Sequence, residues 1–74
     1  MNEGRVEILE KTENSVSLLI IAYGMEIRSK RTTQINLKDM IVDIIGIENL
    51  VFERDTKYDF VSLKQNSRLN FRFD

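Results

Sequence analysis

The 74-residue sequence contains no cysteine, no histidine, no proline and no tryptophan, and only three glycines. Without cysteine there is no disulfide framework, and without cysteine and histidine the usual ligands of structural zinc are missing. Folding of so short a chain buries only about 60% of the surface that the unfolded chain exposes, so we expect marginal stability. Small domains without disulfides or metals often gain stability by associating, which makes self-association into a homodimer one expectation.

The missing histidine and cysteine also remove the common neutral-pH base and the strongest nucleophile. Glu53, Asp55 and Asp59 surround one predicted hairpin, but solvated turn carboxylates explain them more simply than a catalytic pair. Asp39 and Asp43 lie one helical turn apart and are too few to bind calcium. The glycines are too scattered for a phosphate-binding loop. We therefore expect no enzymatic activity, no cofactor, no metal and no small-molecule substrate.

Long apolar runs are absent as well. The longest uncharged run extends from Asn14 to Met25, which is too short to span a bilayer. The first residues mix both charges before any apolar run, unlike a secretory signal. We expect no membrane association and a cytoplasmic location. Plentiful isoleucine and asparagine without proline suggest an AT-rich genome, and lead to the hypothesis of a phage or mobile-element origin.

The clearest element is a helix predicted over residues 37–45. Asn36 is a favourable N-cap, and Asp39 places a carboxylate in the first turn, near the positive end of the helix dipole. Gly46 suits the left-handed conformation that ends many helices. The apolar residues of the segment recur at helical spacing and line one face: Leu37, Met40, Ile41, Ile44 and Ile45.

The other segments alternate between apolar and polar residues, as strands do. "RVEILEK" and "SVSLLIIAY" predict a hairpin, because its loop contains Asn14, a residue that tolerates positive φ, and Gly24 then leads into "MEIRSKRT". "NLVFER", "KYDFVSL" and "RLNFRF" follow the helix. The predicted fold class is a single α+β domain over residues 1–74, with a mainly antiparallel sheet of five or six strands and one helix, in the order βββ-α-βββ.

One helix covers only one face of such a sheet, and the second strand is apolar on both faces. The surplus apolar residues therefore require curvature, a barrel or a second chain: Leu19, Ile21, Tyr23, Val61 and Leu63. A small, partly closed barrel with its helix between the third and fourth strands resembles the oligonucleotide- and oligosaccharide-binding architecture in element order.

Charge is unevenly distributed along the chain. The formal net charge is −1, whereas residues 1–24, 25–38, 39–62 and 63–74 carry −2, +3, −4 and +2. The third and last strands are therefore basic, and they would form one basic stripe if they were neighbours. Basic side chains of these strands and two tyrosines are the candidate partner-binding residues: Arg28, Lys30, Arg31, Arg68, Arg72, Tyr23 and Tyr58.

Two functions remain open, besides a purely structural role as a self-assembling subunit. Segregated charge and surplus apolar residues favour a non-catalytic protein-binding module, such as an inhibitor, adaptor or assembly subunit. The alternative is a nucleic-acid-binding module that uses the basic strands 26–31 and 68–72, because phosphate contacts dominate nucleic-acid affinity. Residues 25–34 contain no aromatic side chain for base stacking, and the sequence pI of about 5.4 is low for a nucleic-acid-binding domain. A protein partner is therefore the main expectation.

Overall fold

The computed structural model of the protein describes residues 2–54, 60 and 63–74. They form five strands and one helix in the order β1 (Asn2–Lys11), β2 (Ser15–Ala22), β3 (Met25–Thr32), α1 (Leu37–Ile45), β4 (Leu50–Phe52) and β5 (Arg68–Phe73). The predicted α+β class, with an antiparallel sheet and a short helix, is confirmed. The strand predicted for "KYDFVSL", residues 57–63, lies mostly outside the described residues.

The strands form one antiparallel sheet in the order β3-β2-β1-β5-β4. β1 pairs with β2 on one side and with β5 on the other. Because β2 and β1 lie between β3 and β5, β5 is beside β1 and not beside β3. The condition for a single basic stripe, that the third and last strands are neighbours, is not met. In the described part of the chain, β3 and β4 are the edges of an open sheet, and the barrel is not closed there.

The helix has the predicted bounds, and local contacts explain both ends. The Asn36 side chain accepts a hydrogen bond from the Asp39 N–H at 2.9 Å, as expected of an N-cap. Gly46 has φ 66° and donates its N–H to the Val42 carbonyl at 2.8 Å, which ends the helix. In the described part of the chain, no helix is long and apolar enough to cross a membrane.

Among the described residues, two turns next to strands contain positive φ. Tyr23 and Gly24 form a two-residue loop with φ 54° and 71°, the type I′ geometry that fits the twist of a hairpin. Asn66 has φ 68° in the turn before β5. The predicted β1–β2 hairpin is confirmed, although Asn14 in its loop does not adopt positive φ. The Thr12 N–H donates to the Ser15 carbonyl at 2.8 Å and closes that loop without it.

The hydrophobic core lies between α1 and one face of the sheet. Leu37, Met40 and Ile41 are the buried residues of the helix. Phe60 and Leu63 are buried in the same core, so Leu63 needs no second layer to cover it. The sheet supplies most of the core: Val6, Ile8, Val16, Leu18, Ile20, Ala22, Leu50, Phe52, Leu69, Phe71 and Phe73.

Candidate functional site

The face of the sheet opposite α1 is called the open face. The strand registers place its side chains in rows, one of which runs from Arg28 through Leu19 and Glu7 to Arg68. α1, the sole helix of the described residues, lies on the other face. The open face carries these side chains: Glu3, Arg5, Glu7, Glu10, Ser15, Ser17, Leu19, Ile21, Glu26, Arg28, Lys30, Thr32, Val51, Arg68, Asn70 and Arg72.

Arg28 and Lys30 lie on the open face at the β3 edge, as the alternation of β3 predicts. Both side chains are exposed. Within residues 2–54, 60 and 63–74, neither side chain forms an ion pair or a hydrogen bond. Their charges are therefore available to a binding partner.

A shallow groove of about 320 Å³ lies beside these two residues, and we call it the basic groove. Its lining consists of Leu9, Ser17, Leu18, Arg28, Ser29 and Lys30. Ser17 faces Lys30 across the strands, and its short side chain leaves a depression there. Leu9 is the extra residue of a β-bulge between Ile8 and Glu10 and remains half-buried. The groove thus combines two cations with an apolar surface.

Arg31 points to the other side of the sheet. It lies opposite Val16, a core residue. Its guanidinium donates to the Asp43 carboxylate at 3.1 Å and to the Ser29 hydroxyl at 2.9 Å. Arg31 therefore links β3 to α1, and the structure does not bring it together with Arg28 and Lys30.

The basic residues of β5 are also separate from the basic groove. Arg68 lies 3.1 Å from the Glu7 carboxylate, which is also 3.6 Å from Arg5. Arg72 is exposed opposite Glu3 and has no ion pair among the described residues. Three strand spacings, about 14 Å, separate β3 from β5. The acidic residues of β1 lie between them, so no continuous basic stripe forms.

Tyr23 is the one of the two candidate tyrosines that the structure describes. Tyr23 lies in the β2–β3 turn, where its ring meets Phe73 edge to face at 5.0 Å between centroids. It is still 53% exposed, so one side of the ring is accessible. Tyr58 lies outside the described residues.

Sequence reasoning missed a second cleft, of about 370 Å³, at the other end of the sheet. Its lining consists of Glu3, Gly4, Arg5, Ile21, Ala22, Gly24, Glu53, Asn70 and Phe71. The Arg5 Nε atom is buried without a hydrogen bond. A glycine inside a strand indicates close approach of another group. Gly4 was therefore the one feature of the sequence that could have pointed to this cleft. The cleft itself depends on the pairing of β1 with β5, which no local pattern reveals.

No cluster of three acidic side chains that could hold a metal ion occurs among the described residues. The basic groove thus offers charge and apolar contact for binding. Comparison of the chain with known protein families, curated proteins and solved structures finds no match in any of the three.

Proposed function

We propose that this chain is a small non-catalytic protein-binding module, serving as an inhibitor, adaptor or assembly subunit, and that an acidic surface of its partner protein docks on the basic groove. One observation supports this most. Arg28 and Lys30 are exposed and lack ion pairs within the described residues, although Arg31 and Arg68 both have acidic partners. Two unpaired cations beside a half-buried leucine fit a partner with carboxylates around an apolar side chain.

The physical roles of the groove residues differ. Arg28 can bind a carboxylate with two parallel hydrogen bonds, so it favours a defined orientation of the partner. Lys30 is a flexible point charge and mainly increases the rate of association with an acidic surface. Leu9 and the methylene stems of both cations supply the apolar contact area. Aromatic Tyr23 lies at the far end of β3 and is a candidate anchor at the rim.

Nucleic-acid binding is the alternative proposal, and it has less support. The basic strands 26–31 and 68–72 share the open face only in part, because Arg31 lies on the opposite side. Glu3 and Glu7 occupy β1 between them. A phosphate backbone crossing this face would meet carboxylates as well as cations, which weakens binding.

The proposal is tested by reversing one charge in the basic groove and, as a control, one charge on α1. The original protein, Lys30→Glu and Lys38→Glu are immobilised and exposed to nuclease-treated lysate of the native host. We expect a protein that is retained by the original chain and by Lys38→Glu but lost from Lys30→Glu. Lys38 is exposed on α1, so it controls for the change in net charge.

Equal retention by all three chains, or retention of no protein, would contradict the proposal. A direct binding assay with single-stranded and duplex oligonucleotides near physiological salt tests the alternative. Binding that weakens steeply as salt rises, and that Lys30→Glu removes, would favour nucleic acid over protein.

A further inference from the structure

The outer side of β3 is an edge of the sheet. β3 has eight residues, and within the described part of the chain it pairs only with β2. The opposite edge, β4, has only three residues. Short edge strands give little opportunity for pairing, so β3 is the edge that can accept another strand.

The hairpin geometry shows which backbone groups of β3 point outward. In a two-residue type I′ hairpin the residues that flank the loop, here Ala22 and Met25, form a hydrogen-bonded pair. Hydrogen-bonded and non-hydrogen-bonded pairs then alternate along the ladder. Glu26, Arg28 and Lys30 therefore occupy non-hydrogen-bonded positions opposite β2. Their N–H and C=O groups point away from the sheet.

The same three residues carry charges of both signs. Glu26 is negative and Arg28 and Lys30 are positive, and all three are exposed. In the described residues no salt bridge or side-chain hydrogen bond involves any of them. Charged side chains on an edge commonly prevent strand addition. A mixture of signs at alternate positions instead selects a strand with the complementary order of charges.

We propose that the β3 edge pairs antiparallel with the β3 edge of a second copy of this chain, about a two-fold axis at Ile27. This joins the two sheets into one continuous sheet. Glu26 of each copy then faces Arg28 of the other, in a hydrogen-bonded pair. The half-buried Ile27 meets its own counterpart on the helix side of the sheet.

The charges select this register over its neighbours. An axis at Arg28 pairs Glu26 with Lys30 twice but places Arg28 against itself, and an axis at Glu26 places two glutamates together. An axis at Ser29 places Arg28 against Lys30 twice. Like charges directly opposite each other destabilise a strand pair, whereas opposite charges stabilise it. The register centred on Ile27 has two favourable charge pairs and no unfavourable one.

A two-fold contact of this kind is self-limiting, because each copy uses its β3 edge once. The paired segment, residues 25–29, is short, and contacts of this size belong to weak, transient complexes. We therefore expect a dissociation constant on the order of micromolar or weaker. Lys30 would lie opposite Gly24 of the second copy, at the end of the contact. Lys30 and Leu9 of the basic groove thus stay outside the charge pairs of the contact, whereas Arg28 belongs to both the groove and the dimer contact.

Sedimentation velocity over protein concentrations from about 1 µM to about 500 µM tests the pairing. We expect the original chain to dimerise within this range. Glu26→Arg and Arg28→Glu should each weaken dimerisation by about tenfold or more, because each places two like-charge pairs in the contact. The double variant Glu26→Arg/Arg28→Glu exchanges the charges and should dimerise again. An equimolar mixture of the two single variants should form a heterodimer.

Two variants serve as matched controls. Lys38→Glu reverses a charge on α1 and should leave dimerisation unchanged. Lys30→Glu should change it little, because Lys30 faces no charge in this register. Circular dichroism of each variant verifies folding. If a charge reversal unfolds the chain, Glu26→Gln and Arg28→Gln replace it and should weaken dimerisation to a smaller extent.

Several results would overturn the inference. An original chain that stays monomeric up to the highest concentration has no such contact. A double variant that fails to dimerise excludes the register centred on Ile27. Loss of dimerisation in Lys30→Glu, with little change in Arg28→Glu, would indicate the axis at Arg28 instead, because that axis pairs Glu26 with Lys30 and Arg28 with itself. Lys30→Glu distinguishes the two proposals, because it should remove partner capture by the basic groove and leave dimerisation nearly unchanged.

Discussion

At the residue scale, Gly4 shows how a missing side chain shapes the sheet. A Cβ atom at this position would lie 2.5 Å from Cζ of Phe71 and 3.0 Å from the Ile21 carbonyl oxygen. The Phe71 ring is fully buried and has little freedom to move. The central strand therefore tolerates no side chain at this point, although its backbone φ is ordinary.

Gly4→Ala should lower the free energy of unfolding by about 1–3 kcal/mol through overpacking against Phe71. Urea denaturation measures this difference. Gly24→Ala is the matched control, because its Cβ would meet nothing within 4 Å while its φ of 71° strains the turn. NMR shifts of the Phe71 ring should change in Gly4→Ala and stay constant in Gly24→Ala. A Gly4→Ala protein of unchanged stability would contradict this packing.

Residues with local roles were predictable and residues with long-range roles were not. Asn36 and Gly46 were identified because a helix cap depends on neighbours within a few residues. The contact of Gly4 with Phe71 joins opposite ends of the sequence, and nothing near Gly4 encodes it. Arg31 was grouped with Arg28 and Lys30 by sequence proximity, although strand alternation alone places it on the opposite face.

At the scale of elements, Lys11 connects β1 to the segment that precedes β5. Lys11 lies opposite Val16 and so reaches the core side of the sheet. Its ammonium group donates hydrogen bonds to the carbonyl oxygens of Phe60 and Leu63. Both of those residues bury their side chains in the core. One lysine thus holds the backbone of this segment against the end of β1.

Lys11→Met keeps most of the aliphatic stem and removes the donor for both carbonyls. We expect the free energy of unfolding to fall by about 1–3 kcal/mol, the usual cost of leaving a partly buried polar group unsatisfied. Lys64→Met, at an exposed position, should stay within about 0.5 kcal/mol of the original protein. Thermal or urea unfolding compares the two. Equal effects would show that the Lys11 contacts contribute nothing specific.

The elements themselves were easier to predict than their order. Helical periodicity and the two caps predicted α1 at its observed bounds. Alternation predicted which side chains of β3 and β5 face the core. Alternation does not reveal which strands are neighbours, because any two strands with one apolar face can pair. The basic stripe required β3 beside β5, and the observed order β3-β2-β1-β5-β4 divides it.

At the scale of the whole molecule, the two faces of the sheet differ in how they are covered. α1, Phe60 and Leu63 cover one face, whereas the open face relies on its own long side chains. Leu19 is only 8% exposed there, beside Glu7 and Arg28 in its row. The surplus apolar residues of β2 are thus partly covered by the stems of neighbouring charged residues. A barrel or a second chain is therefore needed less to cover these apolar residues than the sequence alone indicated.

A dimer that forms only from folded chains should make thermal stability depend on concentration. If β3 pairs with its copy, the melting temperature of the original protein should rise as its concentration is increased from low to high micromolar. The melting temperature of Glu26→Arg should stay nearly constant over the same range. Scanning calorimetry at several concentrations measures both. A constant melting temperature for the original chain would argue against a stabilising dimer.

The central position of β1 also affects the sequence of events during synthesis. Asn2 lies opposite Phe73 in the β1–β5 ladder. During synthesis, β1 therefore gains its second neighbouring strand only after β5 has been made. The meander of β1, β2 and β3 has contacts between adjacent segments and can assemble earlier. Until β5 arrives, the apolar side of that meander lacks Phe71 and Phe73. A nascent chain of this protein therefore carries an incomplete core with an exposed, unpaired β1 edge, the state in which a chaperone would be of most use.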